Sequence, residues 1–296
     1  MNKRKEAIMH IASYWHALDN GRVACDLCPH HCKIPEGKRG ICRNRINQGG
    51  TLYSEVYGHP CALAIDPIEK KPLLHFHPGS QCLSIACTGC NFKCKNCQNY
   101  EISQALPDQV PWEESSPEDI IHIAQRYHQD QIAYTYTEPL TYFEYVRDIA
   151  RLAHENGMRN ILVSAGYINP EPLKELSPLL DAANIDLKSF SDTLYQEVSG
   201  GHLAPVLDTL LALKNARVWL EITHLLIPTV NDDMEMFRKM CQWLVGNGFK
   251  DTPLHISRFF PLYKMESLSP TPFRLMKEAE KTARDEGIRW VHLGNV

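Results

Sequence analysis

The sequence predicts an α/β fold: a partial, (β/α)6-type open TIM barrel with a small N-terminal cysteine-rich module. Three observations predict it. From about residue 80 onward, short β-rich runs alternate with amphipathic helical stretches, the pattern of a parallel sheet wrapped by helices. The units number six or seven in about 215 residues, too few to close an eight-stranded barrel. The first 80 residues lack the alternation and carry four closely spaced cysteines. The expected division is therefore a module and lead-in over 1–80 and a barrel over 81–296.

The candidate strands are 82–87 (CLSIAC), 132–138 (IAYTYTE), 160–166 (NILVSAG), 184–190 (NIDLKSF), 218–228 (VWLEITHLLIP) and 254–261 (LHISRFFP), with 288–294 (IRWVHLG) as a seventh. Ser116, Pro117, Glu118 and Asp119 read as a helix start: a capping side chain, a proline at the first helical position and acids facing the positive end of the dipole. Gly157, Gly248 and Gly287 fall just before strand signals, where a helix end favours a left-handed residue. In such barrels the chemistry sits on loops that leave the C-terminal ends of the strands. That rule singles out residues near 87–97, 136–139, 164–167, 186–188, 223–231 and 257–263.

Composition removes other classes. With 296 residues, 44% hydrophobic and 22% charged, the chain can bury a core without disulfides. Thirty-one basic against thirty-five acidic residues give a net charge of −4, which offers no electrostatic case for a nucleic-acid or membrane surface. The basic N-terminus is interrupted by His10 and polar residues before any signal-like apolar stretch forms. No run approaches the roughly 20 apolar residues that cross a bilayer. The expected location is cytoplasmic, where clustered cysteines bind metal or do chemistry more often than they form disulfides.

The chain has eleven cysteines, and nine lie in two groups: Cys25, Cys28, Cys32 and Cys42, then Cys82, Cys87, Cys90, Cys94 and Cys97. Within the second group, Cys90, Cys94 and Cys97 have C-x3-C-x2-C spacing directly after the first candidate strand. One short loop of this kind can offer thiolates to three irons of an iron–sulfur cube and leave the fourth iron open. An electron-transfer cluster closes all four positions, so an open one implies bound substrate or cosubstrate. The other readings are a structural zinc loop, with Cys87 or Cys82 as the fourth ligand, and buried inert thiols. Cys61, Cys82, Cys87 and Cys241 otherwise read as packing residues or supports behind a site.

This loop, placed after the first strand of a partial barrel, resembles that of radical S-adenosylmethionine (SAM) enzymes. The resemblance implies a [4Fe-4S] cluster whose open iron chelates the amino and carboxylate groups of SAM. Reductive cleavage then gives methionine and a 5′-deoxyadenosyl radical that abstracts hydrogen from a substrate the sequence does not identify. The protein's share is binding, orientation and exclusion of competing reactions. Glu138, at the end of the second strand, is then the expected partner of the SAM amino group. Its other reading is a surface carboxylate at a helix start. Asp186 and Lys188 share a strand face, and in the glycyl-radical-enzyme activases that this chain resembles, the lysine of that DLK motif meets the SAM carboxylate. A plain ion pair is the alternative. Ile227 is offered to an adenine face and Asn231 to polar recognition, although Ile227 also reads as core. Arg258 is a candidate carboxylate or substrate contact, and His255 a cofactor contact or a satisfied core histidine. Two positions depart from the family pattern: Asn96, where an aromatic usually precedes the last cysteine, and Ala165, where an asparagine is expected. No catalytic residue is assigned.

In the N-terminal module, Cys25, Cys28, Cys32 and Cys42, with His30 and His31 nearby, suit a zinc ion, an auxiliary Fe-S cluster or no metal at all. CDLCPHHCKIPEGKRGICRNRIN, AIDPIEKKPLLHFHPGS (64–80), GCNFKCKNCQNYEIS, YTYTEP, NIDLKSF and LHISRFFPLYKM together resemble the radical SAM enzymes of the AmmeMemoRadiSam system, which are close to pyruvate formate-lyase-activating enzymes. That likeness implies AMMECR-type and Memo-type proteins as partners and a flavodoxin- or ferredoxin-like electron donor. Asp66, Glu69, Lys70, Lys71 and His75 are expected beside the cluster loop. Relatives often continue past the Gly294-Asn295 pair into a further C-x2-C segment, so the resemblance also raises an incomplete N-terminal site or a truncated chain. Three functions follow: a radical SAM enzyme of unknown substrate, an activase that installs a glycyl radical, and a non-catalytic Fe-S electron-transfer or zinc-stabilised binding protein.

Overall fold

The computed structural model describes residues 9–296. The basic start of the chain, residues 1–8, on which the expectation of no leader partly rests, lies outside them. Six short strands come first: β1 (His10–Ile11), β2 (Trp15–Ala17), β3 (Val23–Cys25), β4 (Lys33–Ile34), β5 (Arg45–Gln48) and β6 (Thr51–Ser54). They form two three-stranded antiparallel sheets, ordered β2-β3-β4 and β1-β6-β5. Strands of two to four residues are too small to stand alone. Val23, Leu27, Ile34, Leu52 and Val56 accordingly join the apolar cluster of the main body.

The main body begins with β7 (Ala62–Pro67), antiparallel to β8 (Gln81–Ala86). Then come α1 (Tyr100–Ser103), α2 (Pro117–Arg126), β9 (Gln131–Tyr134), α3 (Phe143–Glu155), β10 (Arg159–Ser164), α4 (Pro170–Leu176), β11 (Ala182–Asp186), α5 (Asp192–Leu194) and α6 (Leu203–Asn215). The chain ends with β12 (Trp219–Leu226), α7 (Met234–Gly246), β13 (Leu254–Arg258), α8 (Phe273–Asp285) and β14 (Val291–Gly294). Strands β8 to β14 run parallel and lie side by side in chain order, with β7 and β14 at the two edges. This is the expected open, partial TIM-type barrel, and all seven expected runs are strands. No helix among the described residues is long and apolar enough to cross a membrane.

Local rules set the ends. Ser116 and Asp119 form a reciprocal capping box at the start of α2, and Asp233 caps α7 by accepting from the Glu235 and Met236 amides. Gly157, Gly248 and Gly287 take positive φ after α3, α7 and α8. The run 132–138 is a strand only to Tyr134, because Tyr136 turns to φ 64° and ends the ladder.

Side chains alternate across the wall, as strand geometry requires. Leu83, Ile85, Ile132, Leu162, Ala183 and Ile185 face the helices in the large core. On the other face, Cys82, Ala133, Ile161 and Ala182 form a small cluster capped by Ile68 and Leu73 from the segment between β7 and β8. That segment floors the barrel. The Pro72 carbonyl accepts from Asn184 Nδ2 (2.8 Å), the Leu74 and His75 amides donate to Glu221, and His75 Nε2 lies 2.8 Å from His292 Nε2.

The floor corrects one expectation. Asp66 pairs with Cys82, four residues before the last residue of β8, about 13 Å of strand from the exit to the cluster loop. Asp66, Lys71 and His75 therefore sit toward the strand starts and not beside that loop. The sheet also crosses residue 80: β7, on the lead-in side, is hydrogen-bonded to β8 along its whole length.

Candidate functional site

The loop that carries Cys90, Cys94 and Cys97 leaves the C-terminal end of β8 and is held mostly by its backbone. The Gly89 amide donates to Ile102 O (3.0 Å), Lys93 N to Ser199 O (2.8 Å), Lys95 N to Val198 O (3.0 Å) and Cys97 N to Cys94 O (3.2 Å). Gly89 has φ +108°, and a Cβ there would stand 2.5 Å from the Cys42 carbonyl and 2.9 Å from Asn44 Nδ2. Only glycine lets the N-terminal module press on the loop at that point. Phe92 is buried against Gly201, where a Cβ would come within 2.3 Å of the ring. Tyr167 and Tyr195 complete its surroundings, with ring centroids 4.8 and 6.2 Å away.

Cys94 is buried, Cys90 and Cys97 are partly exposed, and all three are free thiols. The Phe92 amide donates to Cys90 Sγ (3.3 Å), and Cys97 Sγ lies 3.2 Å from Ser103 Oγ. The two cysteines expected as alternative fourth ligands are committed elsewhere. Cys87 Sγ donates to Val56 O (3.4 Å) and Cys82 Sγ to Asp66 O (3.6 Å). The donor set thus suits a polynuclear cluster on three thiolates better than a closed tetrahedral zinc.

Two charged side chains from other strand ends bear on this loop. Glu138, 2% exposed, follows β9. Its carboxylate accepts from Ser164 Oγ (2.6 Å), the Ala165 amide (2.9 Å) and the Leu140 amide (3.2 Å). Burial pushes its carboxyl above the ordinary range, against the pull of those donors and of the Lys188 charge. Lys188 follows β11 and donates to Asp186 (2.8 Å). Burial works against its charge, but Asp186 and the Cys94 sulfur outweigh it and hold the ammonium above its usual pKa. The coupling runs both ways: burial and then Glu138 raise the Cys90 thiol, while Lys188 and Ser199 oppose the effect of burial on Cys94.

The remaining sequence candidates divide. Ile227 is buried with Phe259 and Met265, and Val198, whose carbonyl anchors Lys95 in the cysteine loop, packs on the same cluster. Asn231 is occupied: Oδ1 accepts from the Ile227 amide (2.6 Å) and Nδ2 donates to Lys188 O and Leu225 O (both 2.9 Å). It frames the loops around Lys188 and has no amide hydrogen left for the polar recognition expected of it. Arg258 Nε donates to Thr271 O (2.8 Å), with the guanidinium over Phe260. His255 stands near the start of β13, on the floor, where Nε2 donates to Glu221 (2.6 Å) and the ring stacks on His292. The structure does not bring it to the strand-end mouth. Ala165 lacks an asparagine side chain but gives its amide to Glu138. Ser164 lies in the 164–167 stretch that strand-end position ranks but carries no assigned role there, and Tyr195 lies outside the ranked stretches. Ser164 fixes Glu138, and the Tyr195 hydroxyl accepts from the Lys188 amide (3.0 Å). Their strand-end and post-strand positions were the available signals.

Residues 84–241, just over half of the chain, match the model of the radical SAM superfamily. The chain belongs to that superfamily. It is an enzyme, and the superfamily works with a [4Fe-4S] cluster and SAM. An uncharacterised protein of Methanocaldococcus jannaschii is 45% identical over 97% of this chain and 86% of its own length. The pyruvate formate-lyase-activating enzyme of Clostridium pasteurianum is 25% identical over 51% of this chain and 64% of its own. Among solved structures, a radical SAM methyltransferase from Sphaerobacter thermophilus shares the fold: TM-score 0.54, 13% identity, covering 75% of this chain and 68% of that one.

Proposed function

We propose that this radical SAM enzyme holds its cluster on Cys90, Cys94 and Cys97 and orients SAM with Glu138 and Lys188. The observation that carries this reading is the arrangement at the strand ends: the three-cysteine loop leaves β8, a buried carboxylate with no ion-pair partner among the described residues follows β9, and the Lys188 ammonium follows β11. SAM presents an ammonium and a carboxylate at one end, so Glu138 matches the first and Lys188 the second. When bound, the reduced cluster supplies the electron that cleaves the SAM sulfonium. The chain's own residues do the rest. Ser164 and the Ala165 amide fix the Glu138 carboxylate, Asp186 and Asn231 position Lys188, and Ile227 lines an apolar wall near the loop.

The test is anaerobic reconstitution, then dithionite with and without SAM. SAM is expected to shift the cluster's EPR signal and to yield 5′-deoxyadenosine. Cys94→Ala abolishes both, while Cys241→Ala, which removes a buried thiol of α7, preserves both. An unchanged signal with SAM, or equal loss in the two variants, overturns the assignment. A second reading, an activase that installs a glycyl radical on a partner enzyme, is supported by the likeness to the Clostridium pasteurianum activating enzyme. A stable radical in a supplied partner tests it. Placement in the AmmeMemoRadiSam system, with AMMECR-type and Memo-type partners, rests on the shared sequence stretches, and the flavodoxin- or ferredoxin-like donor on the need for a reductant. Co-purification of such proteins with the chain tests the first.

A further inference from the structure

The N-terminal cysteines do not scatter over their module. Cys25 ends β3, and the Cys25 amide donates to Cys32 O (2.9 Å) while the His31 amide donates to Cys28 O (3.1 Å), so a tight turn gathers three of them. A second turn, closed by the Arg43 amide on Gly40 O (3.0 Å), brings in Cys42. A Cβ built on Gly40 would stand 3.6 Å from Cys42 Sγ and 3.7 Å from Cys32 Sγ, which places both sulfurs around that glycine. Cys25, Cys28, Cys32 and Cys42 line one cavity together with Arg45 and Asn91.

The cavity wall is largely apolar, but one buried charge lies on it. Arg45, 1% exposed, approaches Cys25 Sγ at 3.9 Å and is paired with Glu144. One of the lining residues, Asn91, carries a buried oxygen, Oδ1, with no hydrogen-bond partner, and the carboxylate paired with Arg45 has a second, Glu144 Oε2. Buried polar groups are normally satisfied, so Asn91 Oδ1 leaves a polar point open on the lining.

We infer that Cys25, Cys28, Cys32 and Cys42 hold a second [4Fe-4S] cluster, closed by four protein thiolates. Four thiolates match four irons. The four cysteines line a cavity together with other residues, room that a cube takes and a single tetrahedral zinc does not need. The buried Arg45 offsets the negative charge that four thiolates bring. A closed cluster has no position for SAM, so its chemistry differs from that of the loop cluster although the two sites share a wall. The Cys42 carbonyl abuts Gly89, and His30 Nε2 donates to Asn91 O (2.7 Å), between Cys90 and Cys94.

The test counts iron, labile sulfide and zinc in the full chain after anaerobic reconstitution. About eight irons per chain are expected, and about four after Cys90, Cys94 and Cys97 are all changed to alanine. The remaining cluster gives an EPR signal that SAM does not alter. Cys28→Ser with Cys32→Ser also leaves about four irons, with a signal that SAM still shifts. If that double variant does not fold, the triple variant decides, because it leaves the quartet untouched. A triple variant without iron, or one zinc per chain that survives the triple change, overturns the inference. Failure of the radical SAM reading looks different: the wild-type signal ignores SAM.

Discussion

The barrel has two buried charged layers, and they are finished to different degrees. On the floor, Asp66 accepts from Lys71 (2.7 Å), Ser84 (2.8 Å), Lys70 (3.5 Å) and the Tyr136 hydroxyl. Glu221 likewise takes two amides, the Trp219 indole and His255. Each of these anions has a cation or an imidazole in contact. At the mouth, Glu138 is equally buried, yet its donors are one hydroxyl and two amides, and among the described residues it has no ion-pair partner. Lys188 uses a single acceptor, Asp186. A buried carboxylate without an ion-pair partner is costly to a fold, and under the proposed function the ammonium group of a ligand would complete it.

The largest effect should come from breaking the floor. Lys71 is 1% exposed, and Lys71→Met leaves Asp66 buried without its main cation. Removing one member of a buried pair destabilises by about 3 kcal/mol or more, read from the urea unfolding midpoint. The pH dependence has a defined sign. Burial alone would raise the Asp66 carboxyl, but Lys71, Tyr136 and Ser84 outweigh it and hold it well below the usual range. A depressed carboxyl stabilises above its unfolded pKa of about 3.9 and loses that contribution as pH falls toward the lower folded value. The gap between wild type and variant should therefore be full above about pH 5 and narrow below about pH 4. A pH-independent gap would mean that packing, and not the ion pair, makes the difference.

Glu138→Gln sharpens the same comparison from the other side. The raised carboxyl means that burial already penalises this charge in the native state. Stability contributed by the protonated form declines as pH rises past the unfolded value. The variant should then unfold within about 1 kcal/mol of wild type at pH 7, because the penalty removed offsets the hydrogen bonds weakened. SAM binding, measured on the reconstituted protein, should weaken about ten- to a hundredfold, the worth of one charge-assisted hydrogen bond. A strongly destabilised variant with unchanged SAM affinity would make the mouth a second floor.

The layers also differ in how well the sequence displays them. The mouth was legible because strand-end position and cysteine spacing are local patterns: Glu138, Lys188 and the three-cysteine loop follow their strands directly. The floor was not. Residues 62–67 read as lead-in, and their pairing with β8 depends on the segment after them turning beneath the barrel to reach Glu221 and His292. Nothing in AIDPIEKKPLLHFHP states that long-range path, so Asp66 and Lys71 were expected at the wrong end. His255 illustrates the same limit. Its strand was recognised, but its place near the strand start, facing Glu221, follows from the register with β12 and β14. The roles of Ser164 and Tyr195 are not legible because a hydroxyl has no spacing signature; only the folded neighbours Glu138 and Lys188 give these two a task.

Arg258 should show the smallest effect, and it decides how far the mouth extends around the wall. It ends β13, the position that sequence ranks as functional, yet its Nε is spent on the Thr271 carbonyl and its guanidinium lies over Phe260, 5.0 Å from the ring centroid. Both contacts tie the β13 exit to the strap that leads into α8. Arg258→Ala should therefore destabilise by about 1 kcal/mol, through one hydrogen bond and lost packing of the stem. SAM affinity should change less than about twofold, since each tenfold change represents about 1.4 kcal/mol and the side chain is held on the strap by Thr271 and Phe260. A tenfold weakening at unchanged stability would show that Arg258 leaves the strap to meet a bound ligand, and would carry the binding mouth from β9 and β11 round to β13.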